Sequence, residues 1–162
     1  MAHSSPTPDF DHIHIRQAVA SDLPDIHALV GELAAYEKAP EAFVATLADY
    51  QRDFADGVFE ATVATQSGNV IGLALYYLTY STWKGRMLYL EDFVVREAYR
   101  RHGVGARLFD AFLARARELD CRLVKWQVLD WNEPALNFYR KYQAIIEKEW
   151  WNGKLFLSEN PQ

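Results

Sequence analysis

The chain has 162 residues, of which 50% are hydrophobic and 14% aromatic, and its formal net charge is -5. This length and composition argue against a disordered chain and predict one domain with a sizeable core. The negative balance argues against a nucleic-acid binder, which normally presents a basic face, and the single cysteine excludes an internal disulfide.

The sequence shows neither a membrane-spanning segment nor a secretory signal. No apolar run is long enough to cross a bilayer, and the N-terminus lacks the basic start and apolar stretch of a secretory signal. We therefore expect a cytoplasmic protein with no membrane partner. Residues 1–10 are expected to form a flexible N-terminus, and residues 11–162 a single domain.

The first third of the chain predicts a strand and two helices. Alternation in HIHIRQA, residues 12–18, predicts the strand. Ser21 or Asp22 can cap the first helix. A core-facing stripe along this helix has helical spacing: Ile26, Leu29, Val30 and Leu33. A second helix is predicted from Glu41 to Phe54.

The middle of the chain predicts antiparallel strands. VFEATVAT, residues 58–65, and VIGLALYYLTY, residues 70–80, flank the turn QSGN and read as a hairpin. RMLYLEDFVV, residues 86–95, predicts the next strand.

The last third alternates between helices and strands. An amphipathic helix is predicted from Gly103 to Leu119, then a strand over residues 122–129 and a short helix over residues 133–142. KLFLS, residues 154–158, predicts a last strand. The whole pattern predicts a mixed sheet with helices on both faces, in the α/β or α+β class.

A glycine-containing turn separates the predicted strand over residues 86–95 from the long helix that follows it. Basic residues Arg100, Arg101 and His102 precede Gly103 and Gly105 there. The first turn of a helix has free N–H groups and a positive dipole end, and glycines let a phosphate approach them. The alternative is that the glycines only shape a tight turn. The spacing fits neither a Walker loop nor a dinucleotide fingerprint.

The segment YRRHGVGARLF resembles the pyrophosphate loop of the GCN5-related N-acetyltransferases (GNAT), whose pattern Arg/Gln-x-x-Gly-x-Gly/Ala is filled by Arg100, Gly103 and Gly105. Three further segments, GELAAYEK, LALYYLTYSTWKGRMLYLEDFVV and VLDWNEPALNFYRKY, resemble the diamine branch of that family, the spermidine/spermine and thialysine acetyltransferases. The resemblance implies the GNAT fold, with a central, mostly antiparallel sheet flanked by helices on both faces. It also implies a homodimer, for which the aromatic C-terminal segment offers an interface.

The resemblance implies acetyl-CoA as co-substrate and no metal. Backbone groups of Phe93, Val94 and Val95 would contact its acetyl and pantetheine portions, and Asn132 would lie near it. Asn132 could equally cap the helix that follows. The pyrophosphate would contact the loop residues Arg100, Arg101, His102, Gly103, Val104, Gly105 and Ala106.

Two catalytic residues are implied by the resemblance. Tyr139 matches the general acid, and a phenol can protonate a departing thiolate; the alternative is a core tyrosine. Glu91 matches the group that binds the amine and takes its proton through water. Glu91 and its neighbour Asp92 interrupt an apolar strand, where only a bulge would aim both at one spot. The alternative is that each forms an ion pair with a nearby cation.

The acceptor site is expected to include Tyr36, Glu37, Trp83, Glu91 and Asp92. Carboxylates and aromatic walls together suit an amine cation. From sequence alone, Tyr36 and Glu37 are equally a helix end, and Trp83 an exposed loop residue.

Two departures from the diamine branch bear on the acceptor. Ser81 replaces an acidic residue of the polyamine enzyme, and the chain from Gln143 onward matches poorly. Our first hypothesis is therefore acetyl transfer to a small primary amine: thialysine, a lysine-like amino acid or a diamine. The alternatives are a protein or peptide acceptor, or a CoA-binding module without turnover.

Overall fold

The computed structural model of the protein describes residues 10–157. Most of the expected flexible N-terminus, residues 1–9, lies outside the described residues, as does Ser158 of the predicted last strand. Phe10 begins a 3-10 turn, Phe10–His12, and its ring stacks on His102 with the ring centroids 3.6 Å apart.

The centre of the fold is a five-stranded sheet in the order β1-β2-β3-β4-β5. The first four strands are antiparallel neighbours, and β5 runs parallel to β4. Their bounds are β1 His14–Gln17, β2 Glu60–Gln66, β3 Asn69–Ser81, β4 Gly85–Val95 and β5 Leu123–Trp126.

Four helices cover both faces of this sheet, as the sequence predicts. They are α1 Leu23–Tyr36, α2 Leu47–Ala55, α3 Val104–Glu118 and α4 Glu133–Arg140. The α1 stripe and α2 pack on one face, against Val63, Leu73, Leu75 and Val94. Helices α3 and α4 pack on the other, against Ala74, Tyr76, Leu88 and Leu90. Within the described residues, no helix is both long and apolar enough to cross a membrane.

The starts of α1 and α2 differ in how their first backbone groups are satisfied. Asp22 stands at the N-cap of α1, but its side chain accepts the Val19 N–H at 2.8 Å and pairs with Arg16 at 2.7 Å, and does not cap the helix. Thr46 and Asp49 form a reciprocal capping box, so α2 begins at Leu47. The prediction that this helix begins at Glu41 is therefore wrong, because residues 40–42 form a separate 3-10 turn.

The edge strand β5 is shorter than predicted, and this opens the sheet. β4 pairs with β5 from Met87 to Leu90. Because β5 ends at Trp126, β4 then continues to Val95 paired only with β3. Beyond this point the two strands no longer bond, which leaves a cleft between β4 and the chain that leads to α4.

The predicted last strand is wrong for residues 154–157, which have no strand structure. A strand needs a neighbour to bond, and no strand in the described part of the chain pairs with this segment. Its side chains Leu155, Phe156 and Leu157 are exposed. Apolar alternation alone does not supply a partner.

Candidate active site

The cleft between β4 and β5 holds a cavity of about 100 Å³. It brings together five of the residues that the sequence nominates, from α1, β4, the turn before α4 and α4 itself: Glu37, Glu91, Phe93, Asn132 and Tyr139. The sheet opening therefore brings together the predicted general acid, two carboxylates of the predicted acceptor site and part of the predicted cofactor site.

A β-bulge lies in β4 at the cleft. Asp92 pairs with Leu75 and Leu90 with Tyr76, so Glu91 is an extra residue with no partner on β3. The bulge lets Glu91 and Asp92 lie on the same side of the sheet, the side of α1 and α2. This is the bulge that the sequence analysis required for Glu91 and Asp92 to lie on one side. Tyr77, on the same side, donates a hydrogen bond to Glu91 Oε2 at 2.9 Å.

The cavity is negative. None of Glu37, Glu91 and Asp92 forms an ion pair with a cation in residues 10–157, so the alternative of structural ion pairs does not hold there. Burial, with Glu91 and Glu37 nearby, raises the pKa of Asp92 from 3.8 to about 7. Burial also raises the pKa of Glu37. Carboxylates held at raised pKa without a cation suit a cationic ligand.

Three tyrosines that the sequence analysis missed surround these carboxylates. The Tyr77 and Tyr89 rings stack with centroids 5.4 Å apart. Burial, then the charges of Asp92 and Glu91, raises the pKa of Tyr50 on α2. Strand alternation could have assigned Tyr77 and Tyr89 to the same face as Glu91. No local signal points to Tyr50, because its contact with β4 joins distant parts of the chain.

Tyr139 is both a core residue and a cleft residue. It is 5% exposed, and its ring lies 4.6 Å from that of Trp126, between centroids. Its hydroxyl makes no hydrogen bond to any residue in 10–157, and burial, then Glu37, raises its pKa. The phenol therefore stays protonated near neutral pH.

Asn132 caps α4 by accepting the Ala135 N–H at 3.4 Å, and it also lines the cleft.

The start of α3 has the features of an anion site. Gly103 occupies the N-cap with φ 79°, in the left-handed region, and no side chain caps the helix within the described chain. A Cβ at Gly105 would meet its nearest neighbours only at 3.7–3.9 Å, so packing does not demand glycine there. The bare Cα instead leaves the N–H groups of the first turn open to a ligand. The residues present therefore fit a pyrophosphate.

A second cavity, of about 410 Å³, lies between α1 and the end of β4. It is lined by Tyr36, Val94 and Arg100, all nominated, and by Arg96, whose buried Nε has no hydrogen-bond partner in residues 10–157. Arg100 Nε donates to the Val95 carbonyl at 2.7 Å, and its guanidinium lies 5.5 Å from the centroid of the Tyr36 ring. Arg96 also pairs with Glu32 at 3.4 Å, and Glu32 and Glu97 line the same cavity, so its two arginines are already partly balanced by carboxylates.

The remaining nominated residues lie outside both cavities. Arg101 is exposed, with φ 65°. His102 packs under Phe10. Trp83 is 83% exposed at the tip of the β3–β4 hairpin, about 20 Å from Glu91 along the strand. The structure therefore does not bring Trp83 to the cleft.

Comparisons with known proteins agree with this geometry. The family model "Acetyltransferase (GNAT) family" matches residues 23–144. A thialysine N-epsilon-acetyltransferase of Bos taurus is 34% identical over 91% of this chain and 94% of its own length. A human spermidine/spermine N(1)-acetyltransferase-like protein 1 is 38% identical over 83% of this chain, which spans 21% of that protein.

The solved structures add the fold. A crystallised aminoglycoside acetyltransferase from an uncultured soil metagenomic sample, in complex with trehalose, superposes with a TM-score of 0.77 at 20% identity, covering 92% of this chain and 99% of its own. The family match covers more than half of the chain, and the strand order, the cleft and the open α3 terminus accompany it. The chain therefore belongs to the acetyltransferase (GNAT) family and is an N-acetyltransferase.

Proposed function

We propose that the protein transfers the acetyl group of acetyl-CoA to a small primary amine. The observation that carries this proposal is the cleft in which Glu37 and Glu91 face Tyr139, with Asp92 behind them and no cation from residues 10–157 among them. An ammonium ion is the natural complement of such a site. The relatives named for thialysine and for spermidine/spermine support an amine of this kind.

Acetyl-CoA would supply the activated acetyl thioester. Its pyrophosphate would bind the N–H groups of Val104, Gly105 and Ala106, and backbone groups of Phe93, Val94 and Val95 would align the arm that reaches the cleft. Arg101 and His102 complete the loop by resemblance. The bound acetyl-CoA would then extend from its pyrophosphate at the start of α3 to its acetyl group in the cleft beside the bulge of β4.

The chain's own groups would handle two protons. Glu91 binds the ammonium and accepts one proton through a water molecule, which leaves a neutral nitrogen to attack the carbonyl carbon. As the carbon–sulfur bond breaks, Tyr139 gives its proton to the sulfur, and the second proton that leaves the acetylated nitrogen returns Tyr139 to its phenol form. Tyr77 donates to Glu91 and holds that carboxylate toward the cleft. Asp92 adds negative potential from behind.

The acceptor would be short. The cavity beside Tyr139 is small, and Ser81 supplies no second carboxylate at the hairpin for the far end of a long polyamine. Tyr36 and Glu37 are proposed contacts by resemblance, Glu37 from the cleft wall itself, whereas Trp83 at the hairpin tip is too distant to contact a short acceptor. Thialysine, lysine-like amino acids and short diamines fit this description better than a peptide.

We also propose that the protein forms a homodimer. The C-terminal segment, residues 145–157, leaves its large apolar side chains uncovered, among them Ile145, Trp151 and Leu157. A group of exposed apolar side chains in one segment of a folded chain is typical of a protein–protein interface.

The test is consumption of acetyl-CoA by the purified protein with thialysine, lysine, ornithine, putrescine, spermidine, spermine and a lysine peptide. We expect the highest kcat/KM with thialysine or another short amine. Preference for spermine would contradict the short acceptor, and reaction with the peptide alone would replace the small amine by a protein substrate. Binding of acetyl-CoA without acetylation of any amine would instead support the alternative of a CoA-binding module without turnover.

A further inference from the structure

The two cavities lie on either side of one row of stacked side chains. The Tyr36 ring, at the end of α1, lies 6.0 Å from the Trp131 ring, in the turn before α4, between centroids. Lys38 Nζ lies 4.5 Å from the centroid of the Trp131 ring, and the Arg100 guanidinium covers the Tyr36 ring. This row, Arg100–Tyr36–Trp131–Lys38, is called the strap below.

The strap joins the three segments that border the cleft. Arg100 belongs to the loop before α3, Tyr36 and Lys38 to the end of α1, and Trp131 to the turn before α4. Chain neighbours of the strap, Glu37 and Asn132, line the cavity beside Tyr139. Tyr36 and Arg100 themselves line the cavity near α3. A ligand that extends from one cavity to the other would therefore run beside the strap.

The backbone at Lys38 supports a role for its side chain. Lys38 has φ 63°, in the left-handed region, where the helix C-terminus normally takes glycine or asparagine. A lysine there carries a strain of about 1 kcal/mol. This conformation holds the Lys38 ammonium against the Trp131 ring. Strain of this kind is retained where the side chain is used.

The strap is exposed and not part of the core. Tyr36 and Trp131 are each 41% exposed, and neither belongs to a buried cluster of the sheet faces. Its contacts are therefore individually weak: about 0.5–1.5 kcal/mol for an aromatic pair and about 0.5–1 kcal/mol for an exposed cation–π contact. Contacts of this size can open and close readily.

We propose that the strap closes over the long arm of the bound acyl-CoA, with Trp131 and Lys38 as positioning residues that slow its release. The proposal rests on the proposed use of acetyl-CoA, because it needs a ligand with an anionic end at α3 and a reacting end at Tyr139. Trp131 acts through the Tyr36 ring and touches none of the reacting atoms.

The experiment measures acetyl-CoA binding by calorimetry, release of an adenine-labelled fluorescent acetyl-CoA by displacement, and steady-state kcat and KM. We expect Trp131→Ala to weaken binding and raise KM for acetyl-CoA by about threefold to tenfold, mainly through faster release, with kcat changed less than about twofold. Trp131→Phe should restore most of the affinity. Lys38→Met should cost about twofold to fivefold, and Lys38→Arg should match the wild type.

Tyr80→Ala and Lys84→Met are matched controls, because both residues are exposed at the β3–β4 hairpin, away from the cleft. If Trp131→Ala and Lys38→Met bind and release acetyl-CoA like the wild type, the strap is overturned while the proposed function stands. A lower melting temperature with unchanged release would assign the strap to stability and overturn the proposal. If the wild type does not bind acetyl-CoA, the proposed function falls and the strap with it.

Discussion

Tyr139 combines two properties that rarely coincide in one side chain. Its ring is packed among Trp126, Phe109 and Phe93, which fixes its direction, and its hydroxyl is left without a partner among residues 10–157. A fixed and unengaged phenol is suited to donate a proton to one position in the cleft.

Tyr139→Phe should therefore lower kcat by about 100-fold or more, since general acids contribute at least that factor, with little change in KM for acetyl-CoA. The phenyl ring preserves the packing, so stability should change little. The measurement is steady-state acetylation of the best amine, with Tyr142→Phe as the control, because the Tyr142 hydroxyl donates to Asp110 on α3. Equal loss in both variants would contradict the role of Tyr139.

Asp92 links the site to stability. Its pKa is 3.8 in the unfolded reference and about 7 in the protein. As the pH rises from about 4 to about 7, the unfolded carboxyl ionises while the folded one keeps its proton, so the free energy of unfolding falls. Above about pH 7 both are ionised and the folded state carries the full cost of a buried charge, up to about 4 kcal/mol.

Asp92→Asn cannot ionise and should therefore stabilise the protein, by about 2 kcal/mol more at pH 8 than at pH 5. Urea denaturation of the wild type and the variant at both pH values measures this difference. Asp130→Asn, an exposed substitution in the turn before α4, is the control. A gain that is equal at the two pH values would show that Asp92 is not held at a raised pKa.

At the scale of elements, the end of α4 shows why one departure from the family matters. Gln143 has φ 58°, and the Ala144 N–H bonds back to the Tyr139 carbonyl at 3.3 Å. This is a left-handed helix C-terminus, for which glycine is the favoured residue. Glutamine at this position costs stability at the end of α4, the helix that carries Tyr139.

Gln143→Gly should raise the free energy of unfolding by about 1 kcal/mol, because glycine adopts the left-handed conformation without strain. Chemical denaturation at pH 7 is the measurement. Lys141→Gly provides the opposite control, since Lys141 has ordinary helical angles and glycine there should destabilise by about 0.5–1 kcal/mol. A loss of stability in Gln143→Gly would contradict the strain argument.

The elements also show what a sequence carries and what it does not. The helical stripe of α1, the hairpin turn and the glycine loop are local patterns, and the predicted fold followed from them. The sequence could not predict whether β4 has a bulge at Glu91, because two adjacent carboxylates look the same in a regular strand and in a bulged one. It could only say that a bulge is needed if both carboxylates are to lie on one side. The contacts of Tyr50 and Trp131 join segments distant in sequence, and the segment 154–157 has strand alternation without a neighbour.

At the scale of the whole molecule, exposed apolar side chains are concentrated near one end of the chain. Helices cover both faces of the sheet, whereas residues 145–157 present Trp150, Trp151 and Phe156 to solvent. This concentration of apolar surface in one terminal segment supports the proposed dimer.

Trp151→Glu should weaken self-association at least about tenfold, because a charge in an apolar interface is costly. Sedimentation equilibrium across a concentration series measures it. Val58→Glu is the control, since Val58 is exposed in the turn before β2, on a different part of the surface. A monomeric wild type at all concentrations would contradict the dimer.

The bulge in β4 has a consequence for how Glu91 can be removed. Leu90 and Phe93 face α3, and Asp92 and Val94 face α1. Removing Glu91 altogether would restore strict alternation without turning any of these side chains to the other face. The bulge therefore makes the Glu91 carboxylate separable from the rest of β4. A deletion of Glu91 should leave a folded protein that keeps the α3 loop and lacks the carboxylate proposed to bind the amine.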